Sequence, residues 1–370
     1  MTGSRNTGTR NCMADLEAVV PAFPSSRVPA FPSVTLTPRS ALHTTLPIRD
    51  TQLEVVQLVL PAHANVRGTL YGGRMMDWIT TAATMAAMRL ARGSVVLGAM
   101  DELDFLGPVY VGDMVTLRAQ VEYVGRSSLE VGVDVHAENP READRRLTTS
   151  GHLAMVAVDD SGRPRPVGTS ITPSDRTERQ LHEAAKARRV ERATRLADRA
   201  SQAAQVEEGT AGFTHALEIS RLVFPDDAVL GTLMFAGNLM MHLDEAASIL
   251  ALRFCRCPVV TASIDALAFY APIRVGEIVT YKAGLNHVGR SSMEVGVKVL
   301  AEHPLTGVRR HTCTAFLTMV HVDATGPQPV PSYRPATEVE RRRWEEAERR
   351  RERRMLRHAG RADGRQGSAS

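Results

Sequence analysis

The segment that decides the fold is Gly125-Arg-Ser-Ser-Leu-Glu-Val-Gly-Val133, which occurs a second time as Gly289-Arg-Ser-Ser-Met-Glu-Val-Gly-Val297. The second copy begins 164 residues after the first. Phe105-Leu-Gly-Pro108 recurs as Phe269-Tyr-Ala-Pro272 at the same spacing. A period of this length is too long for a solenoid repeat. We therefore expect two copies of one domain of roughly 110 residues, which is an ordinary domain size.

The composition excludes several classes of protein. The chain has 370 residues, of which 43% are hydrophobic and 23% charged, as is typical of a globular protein. Four scattered cysteines are too few for a disulfide scaffold and favour a reducing compartment. No run of about 18 apolar residues occurs, so no membrane-spanning helix is expected. The net charge of +4 equals the excess of 11 arginines over 7 acidic residues in the last 33 residues, so no nucleic-acid partner is expected.

Strands are predicted in each copy because apolar and polar residues alternate with period two. Gly125 lies between two such runs and suits a tight turn, since glycine adopts positive φ without strain. Short connections between consecutive strands imply an antiparallel sheet. The predicted strands are 115–123, 127–138 and 146–158 in the first copy and 279–286, 291–302 and 308–322 in the second.

One long helix precedes the strands of each copy, at residues 74–91 and 238–253. Both segments lack glycine and proline and are apolar on nearly every face, which is typical of a helix buried on all sides. A buried helix followed by a curved antiparallel sheet indicates the hotdog arrangement. The predicted fold class is therefore α+β, with two tandem hotdog domains.

The predicted domain boundaries follow from the repeat and from composition. The segments outside the repeat include two charged helices, the second opened by a capping box at Thr337-x-x-Glu340. Both helices are expected to be solvated surface, and a nucleic-acid or membrane role for the arginine-rich tail is the alternative. The predicted segments are 1–49 as a disordered extension, 50–160 as hotdog domain 1, 161–210 as a linker with a charged helix, 211–325 as hotdog domain 2 and 326–370 as a charged helical or disordered tail.

The entry to each buried helix holds the candidate chemistry, since the chain lacks the G-x-S-x-G, G-x-x-x-x-G-K-[ST] and H-E-x-x-H motifs. When the two copies are aligned with a one-residue insertion in the second, Asn65 corresponds to Ala228, and Asp244 corresponds to Thr80. Each copy thus lacks the polar group that the other keeps. We expect one working site for the two repeats, with Ala228 and Thr80 forming an inactive mirror position.

The residue types at these positions suit a hydrolytic site. A carboxylate such as Asp244 inside an apolar helix is costly unless it is paired or used, and burial raises its basicity. The amide of Asn65 can hold a water beside such a base. Gly72 and Gly73 open the first helix, so their backbone N–H groups can stabilise an oxyanion.

Structural interpretations of the same residues remain open. Asp244 on spacing alone is also consistent with a satisfied structural carboxylate. His63 and His242 are interpreted as hydrogen-bonded structural histidines, and Asp77 as a solvent-facing or first-turn residue. The pair Cys255-x-Cys257 lacks a second pair at zinc spacing, so no metal site is predicted.

These motifs resemble the tandem (double) hotdog acyl-CoA thioesterases, the brain-type acyl-CoA hydrolase family. The resemblance covers roughly residues 52–158 and 213–322. The matching motifs are His63-Ala-Asn65-x-x-Gly68-x-x-x-Gly72-Gly73, Phe105-x-x-Pro108 and Gly125-Arg126-Ser127-Ser128 in the first copy, and Leu243-Asp244-Glu245-Ala246-Ala247, Phe269-x-x-Pro272 and Gly289-Arg290-Ser291-Ser292 in the second.

The resemblance implies hydrolysis of an acyl-CoA thioester to free acid and CoA at the interface between the hotdogs. It implies that Asn65 positions the water, that Asp244 acts as base or nucleophile, and that Gly72 and Gly73 polarise the carbonyl. It further implies no cofactor beyond the coenzyme A of the substrate, and a trimer of double-hotdog chains, hexameric in domains. The turns implied to lie near CoA consist of Arg126, Ser127 and Ser128 in the first copy and Arg290, Ser291 and Ser292 in the second.

Two other functions stay open at this point. A non-catalytic acyl-CoA-binding or regulatory protein would keep the fold without turnover. A hotdog dehydratase would need a carboxylate beside a histidine, but His242 and Asp244 do not share a helix face. We expect a cytoplasmic location. An organelle matrix is the alternative, since residues 1–49 hold five arginines and two acids, a composition that permits a transit peptide.

Overall fold

The structure is a computed structural model that describes residues 44–142, 144–203, 212–228 and 232–366. Most of the predicted disordered extension, residues 1–43, lies outside this range. The first copy contains β1 (Thr44–Pro47), β2 (Leu53–Leu58), α1 (Gly72–Ala91), β3 (Val95–Met100), β4 (Leu103–Asp104), β5 (Met114–Val124), β6 (Ser128–Asn139), β7 (Asp144–Ala157), β8 (Thr169–Thr172) and α2 (Arg176–Ala203). The second contains β9 (Ala216–Leu222), α3 (Ala236–Cys255), β10 (Val259–Ile264), β11 (Leu267–Ala268), β12 (Ile278–Val288), β13 (Ser292–Glu302), β14 (Arg309–Asp323), β15 (Gly326–Pro327) and α4 (Glu338–Gln366).

Each copy forms an antiparallel sheet around its long helix. The strand orders are β11-β3-β7-β6-β5-β2 and β4-β10-β14-β13-β12-β9, with β15 paired to β14. Helix α1 packs on β3, β5, β6 and β7, and α3 packs on β10, β12, β13 and β14. Along β6, Leu129, Val131 and Val133 are buried toward the helix, as the period-two pattern requires. The predicted α+β fold with two tandem hotdog domains is confirmed.

The two sheets exchange short strands at the seam between the copies. Strand β4 of the first copy pairs with β10 of the second, and β11 of the second pairs with β3 of the first. Phe105 N–H donates to the Ala262 carbonyl, and Phe269 N–H donates to the Gly98 carbonyl. Helices α1 and α3 also pack against each other. The seam is therefore a continuous part of the core.

Helices α2 and α4 belong to the repeat, contrary to the prediction that they lie outside it as solvated surface. Glu130 alternates with the core residues of β6, so its side chain lies on the face of the sheet away from α1. There Arg192 of α2 binds Glu130 and Asp101, and Arg354 of α4 binds the matching Glu294 and Asp265. Arg192 is 7% exposed and Arg354 is 8% exposed. Each helix therefore covers the outer face of its own sheet.

The starts of these helices also match. The predicted capping box is confirmed, since Glu340 N–H donates to Thr337 Oγ1 and Thr337 N–H donates to the Glu340 carboxylate. In the first copy Glu178 accepts the N–H groups of Ile48 and Arg49. Residues 44–49 were assigned to the disordered extension, but they form β1 and the start of a 3₁₀ turn, with Ile48 fully buried. No helix in the described ranges is long and apolar enough to cross a membrane.

Candidate functional site

The Asp244 carboxylate lies on the seam between the two copies, two turns into α3 and fully buried. Its Oδ2 accepts the backbone N–H of Gly73 at 2.7 Å, from the first turn of α1. Its Oδ1 accepts the hydroxyl of Thr261, on β10, at 2.5 Å. The fold therefore brings Gly73 and Asp244, 171 positions apart, into direct contact.

The environment of Asp244 sets its acidity. Burial raises the pKa of Asp244, hydrogen bonds from Thr261, Gly73 and Tyr71 partly offset that rise, and the resulting pKa is about 6. The Tyr71 hydroxyl interacts with Asp244 and Ser248, and burial raises the pKa of Tyr71, so that the phenol stays protonated. Asp244 is thus ionised at neutral pH with a pKa close to the operating range of a general base.

Gly72 and Gly73 are required by the close approach of α1 to the second copy. A Cβ atom on Gly72 would lie 2.8 Å from Thr261 Cβ, and one on Gly73 would lie 2.9 Å from Met241 Cα. Within the described residues no acceptor is found for Gly72 N–H, whereas Gly73 N–H is held by Asp244. The predicted oxyanion role of these two groups stays a prediction, and only Gly72 has an N–H without an acceptor among the described residues.

Asn65 lies in the loop that leads into α1, and its amide shapes that loop. Its Oδ1 accepts the N–H groups of Arg67 and Thr69, and its Nδ2 donates to Thr69 Oγ1 at 2.8 Å. Arg67 of the same loop donates to the carbonyl of Val322 in the second copy. Between the described residues no hydrogen bond joins Asn65 to Asp244. The water-holding role of Asn65 stays a prediction.

The register of the two copies corrects the predicted mirror position. The bridges Ala64–Leu70 and Ala228–Met234 are equivalent, so the spacing is 164 here as well and the predicted one-residue insertion is wrong. Ala228 therefore matches Ala64. Position 229, a valine that lies outside the described residues, matches Asn65. The mirror position still lacks both the amide and the carboxylate.

Two residues of the site were missed from the sequence, Thr261 and Tyr71. At the 164-residue spacing their counterparts are Leu97 and Phe235. Each carries a hydroxyl that its counterpart lacks, as Asp244 carries a charge that Thr80 lacks. A comparison of the copies for buried positions that are polar in only one of them would have found both.

The two turns predicted to contact CoA lie in different places. Ser291 carbonyl accepts His321 N–H, beside the Val322 carbonyl that Arg67 contacts, so the turn of Arg290, Ser291 and Ser292 lies on the side of the Asn65 loop. The other turn consists of Arg126, Ser127 and Ser128. Its Ser127 carbonyl accepts Ala157 N–H, at the end of β7 that pairs with β3. That turn lies on the mirror side.

The histidines near the helix entries make structural contacts. His63 Nδ1 accepts Leu60 N–H, and its ring packs edge-on against Trp78. His242 contacts Glu245, and burial lowers the pKa of this imidazole. These contacts favour the structural interpretation of both residues.

Asp77 corrects a further prediction. Asp77 is 9% exposed and forms an ion pair with Arg74, and burial raises the pKa of its carboxyl group. The side chain is therefore not solvent-facing. Its carboxylate lies against Gly237, at the start of α3. A buried, paired acid of this kind is consistent with a structural residue of the α1–α3 contact.

In the thioester hydrolysis that the sequence predicts, Thr261→Val should shift the acidic limb of the pH–rate profile upward by about 1–2 pH units. The hydroxyl stabilises the ionised carboxylate, a hydrogen bond to a charged group contributes about 1.5–3 kcal/mol, and one pKa unit corresponds to 1.36 kcal/mol. Initial rates from pH 5 to 9 measure the shift. The matched control is Thr84→Val, since Thr84 donates to the Thr80 carbonyl and not to Asp244. An unmoved limb in Thr261→Val would contradict this role.

The chain is similar in sequence to known proteins over both of its copies. The "Thioesterase superfamily" model matches twice, at residues 67–143 and 231–308. The human cytosolic acyl coenzyme A thioester hydrolase is 30% identical over 304 residues, covering 78% of this chain and 80% of that protein. The chain belongs to the thioesterase superfamily. The predicted family is thereby confirmed, and so is the prediction that the chain is a hydrolase.

Solved structures of proteins named acyl-CoA thioesterase or acyl-CoA hydrolase align with parts of the chain. An acyl-CoA hydrolase from Staphylococcus aureus in complex with butyryl coenzyme A is 30% identical, with TM-score 0.40, covering 44% of this chain and 97% of that one. An apo-hexameric acyl-CoA thioesterase is 38% identical, with TM-score 0.40, covering 42% of this chain and 98% of that one.

Proposed function

We propose that the chain hydrolyses the thioester of a fatty acyl-CoA to free acid and CoA at one site between its two copies. The observation that carries the proposal is the buried Asp244 carboxylate facing the start of the opposite helix at Gly72 and Gly73. A base, a hydroxyl and helix N–H groups in one buried place match the needs of acyl transfer to water. The mouse and human relatives are named for this reaction.

In the proposed reaction Asp244 accepts a proton from a water that Asn65 orients, and the water attacks the thioester carbonyl. Gly72 N–H then stabilises the developing oxyanion, the C–S bond breaks, and the CoA thiolate takes up the proton that Asp244 had accepted from the water. In the second route Asp244 attacks the carbonyl directly and the C–S bond breaks, which releases the CoA thiolate and leaves an acyl–carboxylate anhydride. Water cleaves this anhydride to the free acid and protonated Asp244, whose proton passes to the thiolate. Both routes need Asp244 ionised and Thr261 in place.

The coenzyme moiety is assigned to the turn of Arg290, Ser291 and Ser292. This turn lies on the side of the Asn65 loop, and a guanidinium suits phosphate because it can bind two oxygens at once. The turn of Arg126, Ser127 and Ser128 lies on the mirror side. If this turn contacts CoA as predicted, the CoA would be bound at the mirror position and not beside Asp244.

The pH dependence of hydrolysis tests the assignment of the base. Below a pH of about 6, where the pKa of Asp244 lies, protonation removes the base, so kcat/KM should fall about tenfold per pH unit. Free-thiol release from palmitoyl-CoA between pH 4.5 and 8 measures it. A kcat/KM that is constant across this range would contradict Asp244 as the base.

A non-catalytic acyl-CoA binder is the second candidate, and the engaged amide of Asn65 favours it. That candidate predicts binding of palmitoyl-CoA without release of free thiol. The dehydratase has no such support, because His242 contacts Glu245 and Arg221 rather than Asp244.

The assembly and location of the chain are part of this proposal. The outer strands β2 and β9 and the residues next to them carry exposed apolar side chains, among them Val56, Leu58, Leu222 and Phe224. Exposed apolar edges of this kind are typical of contacts between subunits. They support a homo-oligomer, with the trimer of double-hotdog chains as its expected form. We place the protein in the cytosol, following the names of the mouse and human relatives.

A further inference from the structure

A cavity of about 600 Å³ lies on the mirror side of the seam. We call it the mirror cavity. Its walls come from the end of α1, from β3, from the start of α3 and from the loop after β11. The residues that define it are Met88, Leu97, Phe235, Leu239, Phe269 and Ile273. A volume of this size lies within the range of small-molecule sites in proteins.

The mirror cavity has lost the groups that would cleave a thioester. At the 164-residue spacing Leu97 stands where the site has Thr261, and Phe235 stands where it has Tyr71. Thr80, the counterpart of Asp244, donates its hydroxyl to the Met76 carbonyl, 2.8 Å away. Thr84 likewise donates to the Thr80 carbonyl. Both hydroxyls are therefore engaged by the helix backbone, and neither is a base.

The same replacements make the mirror side of the seam more apolar than the side that holds Asp244. Asp159 and Asp160 border it and are exposed. An apolar interior suits a hydrocarbon chain, because removing apolar surface from water is favourable. The interior is therefore the part that a ligand of this class would occupy.

We propose that the mirror cavity binds the hydrocarbon chain of a fatty acyl group without cleaving it. The choice of an acyl chain rests on the proposed function, since the cavity is the counterpart of the site assigned to acyl-CoA. The chain has two sources, a free fatty acid and an acyl-CoA. In either case one polypeptide carries a cleaving site and a holding site for the same chemical class.

The test is a fluorescence titration of the full chain with cis-parinarate, a fatty acid that fluoresces when bound. Ala271 lines the mirror cavity in the loop after β11. Ala271→Trp should fill the cavity and weaken at least one equivalent of parinarate binding tenfold or more, with hydrolysis within twofold of wild type. Gly107→Trp, the matched position in the first copy, lies outside the mirror cavity and should keep that equivalent.

The competing ligands identify the source of the chain. The equivalent of parinarate that Ala271→Trp weakens is the one to follow. Its displacement by palmitate assigns the cavity to free acids, and its displacement by the uncleavable S-hexadecyl-CoA assigns the cavity to acyl-CoA. Displacement by neither overturns the proposal, as does an Ala271→Trp variant with normal hydrolysis and an unchanged titration. Should Ala271→Trp lose hydrolysis too, Ser94→Trp fills the same cavity from the residue before β3. Parinarate binding that Ala271→Trp removes, in a chain without thioesterase activity, would refute the proposed function and leave the cavity as a lipid site.

Discussion

Replacing Asp244 with asparagine should lower kcat for acyl-CoA hydrolysis by about 10²–10⁴-fold, the usual contribution of a positioned base. Asparagine keeps the size of the side chain, and Thr261 can rotate its hydroxyl to accept the new amide, so the seam stays packed. Free-thiol release from palmitoyl-CoA measures the loss. The matched control is Thr80→Ala at the equivalent position of α1, which should keep hydrolysis near the wild-type rate. Wild-type turnover in Asp244→Asn would refute the proposed mechanism.

The same substitution should stabilise the fold at pH 8. The ordinary pKa of an aspartate is 3.8 and that of Asp244 in the folded chain is about 6, so the native state binds the proton more tightly than the unfolded one. Stability is therefore lost as pH rises through this window and stays lost above it, by up to about 3 kcal/mol. Asparagine removes that cost. Urea unfolding at pH 8 should show a higher midpoint for Asp244→Asn, and a lower one would contradict the view that the buried charge of Asp244 is only partly compensated by its hydrogen bonds.

Arg192→Ala should lower the free energy of unfolding by about 3–5 kcal/mol, because it removes the buried arginine that two buried carboxylates bind. Arg192 makes paired hydrogen bonds to both Glu130 and Asp101. Burial raises the pKa of Glu130 and the arginine lowers it, so removal of the arginine favours the protonated acid. The loss should therefore shrink as pH falls and the acids are protonated. Guanidinium unfolding at pH 7 and pH 5 measures both effects.

An exposed ion pair supplies the control for that experiment. Arg118 and Glu54 form a 2.7 Å pair, and their side chains are 46% and 44% exposed. Arg118→Ala should cost less than about 1 kcal/mol, since solvent screens such pairs. Equal losses of unfolding free energy in Arg118→Ala and Arg192→Ala would mean that the contacts of Arg192 in α2 stabilise the fold no more than an exposed ion pair does.

The features with strong local patterns could be predicted from the sequence. The period-two segments and the all-apolar helices predicted both sheets and the buried α1 and α3, because burial on one face or on all faces leaves that pattern. The short strands β4 and β11 could not be predicted, since two residues have no periodicity. Their exchange between the copies depends on packing at the seam.

The helices α2 and α4 show a different limit of the sequence. Their equivalence rests on a few buried positions such as Arg192 and Arg354 within highly charged segments, so the repeat is not visible by eye. Charged residues usually indicate solvent, and only the structure shows that these arginines face buried acids.

The candidate site was predicted in part. Asp244 could be found because an acid is out of place in an apolar helix, and Gly73 because it opens the facing helix. Thr261 and Tyr71 were missed, because a hydroxyl in a strand or loop is unremarkable by itself and stands out only when the two copies are compared position by position. The bonds that engage the Asn65 amide depend on the loop conformation, which no pattern in the sequence specifies.

The most direct test of the central claim is a double-mutant cycle between Asn65 and Asp244 in single-turnover hydrolysis. If both residues act on one water, Asn65→Ala should reduce the rate of the wild-type chain by about 10-fold or more and change the rate of Asp244→Ala hardly at all, because parts of one catalytic unit are not additive. The account predicts this coupling across the seam. Independent, multiplicative losses, or an Asn65→Ala chain with wild-type turnover, would contradict it.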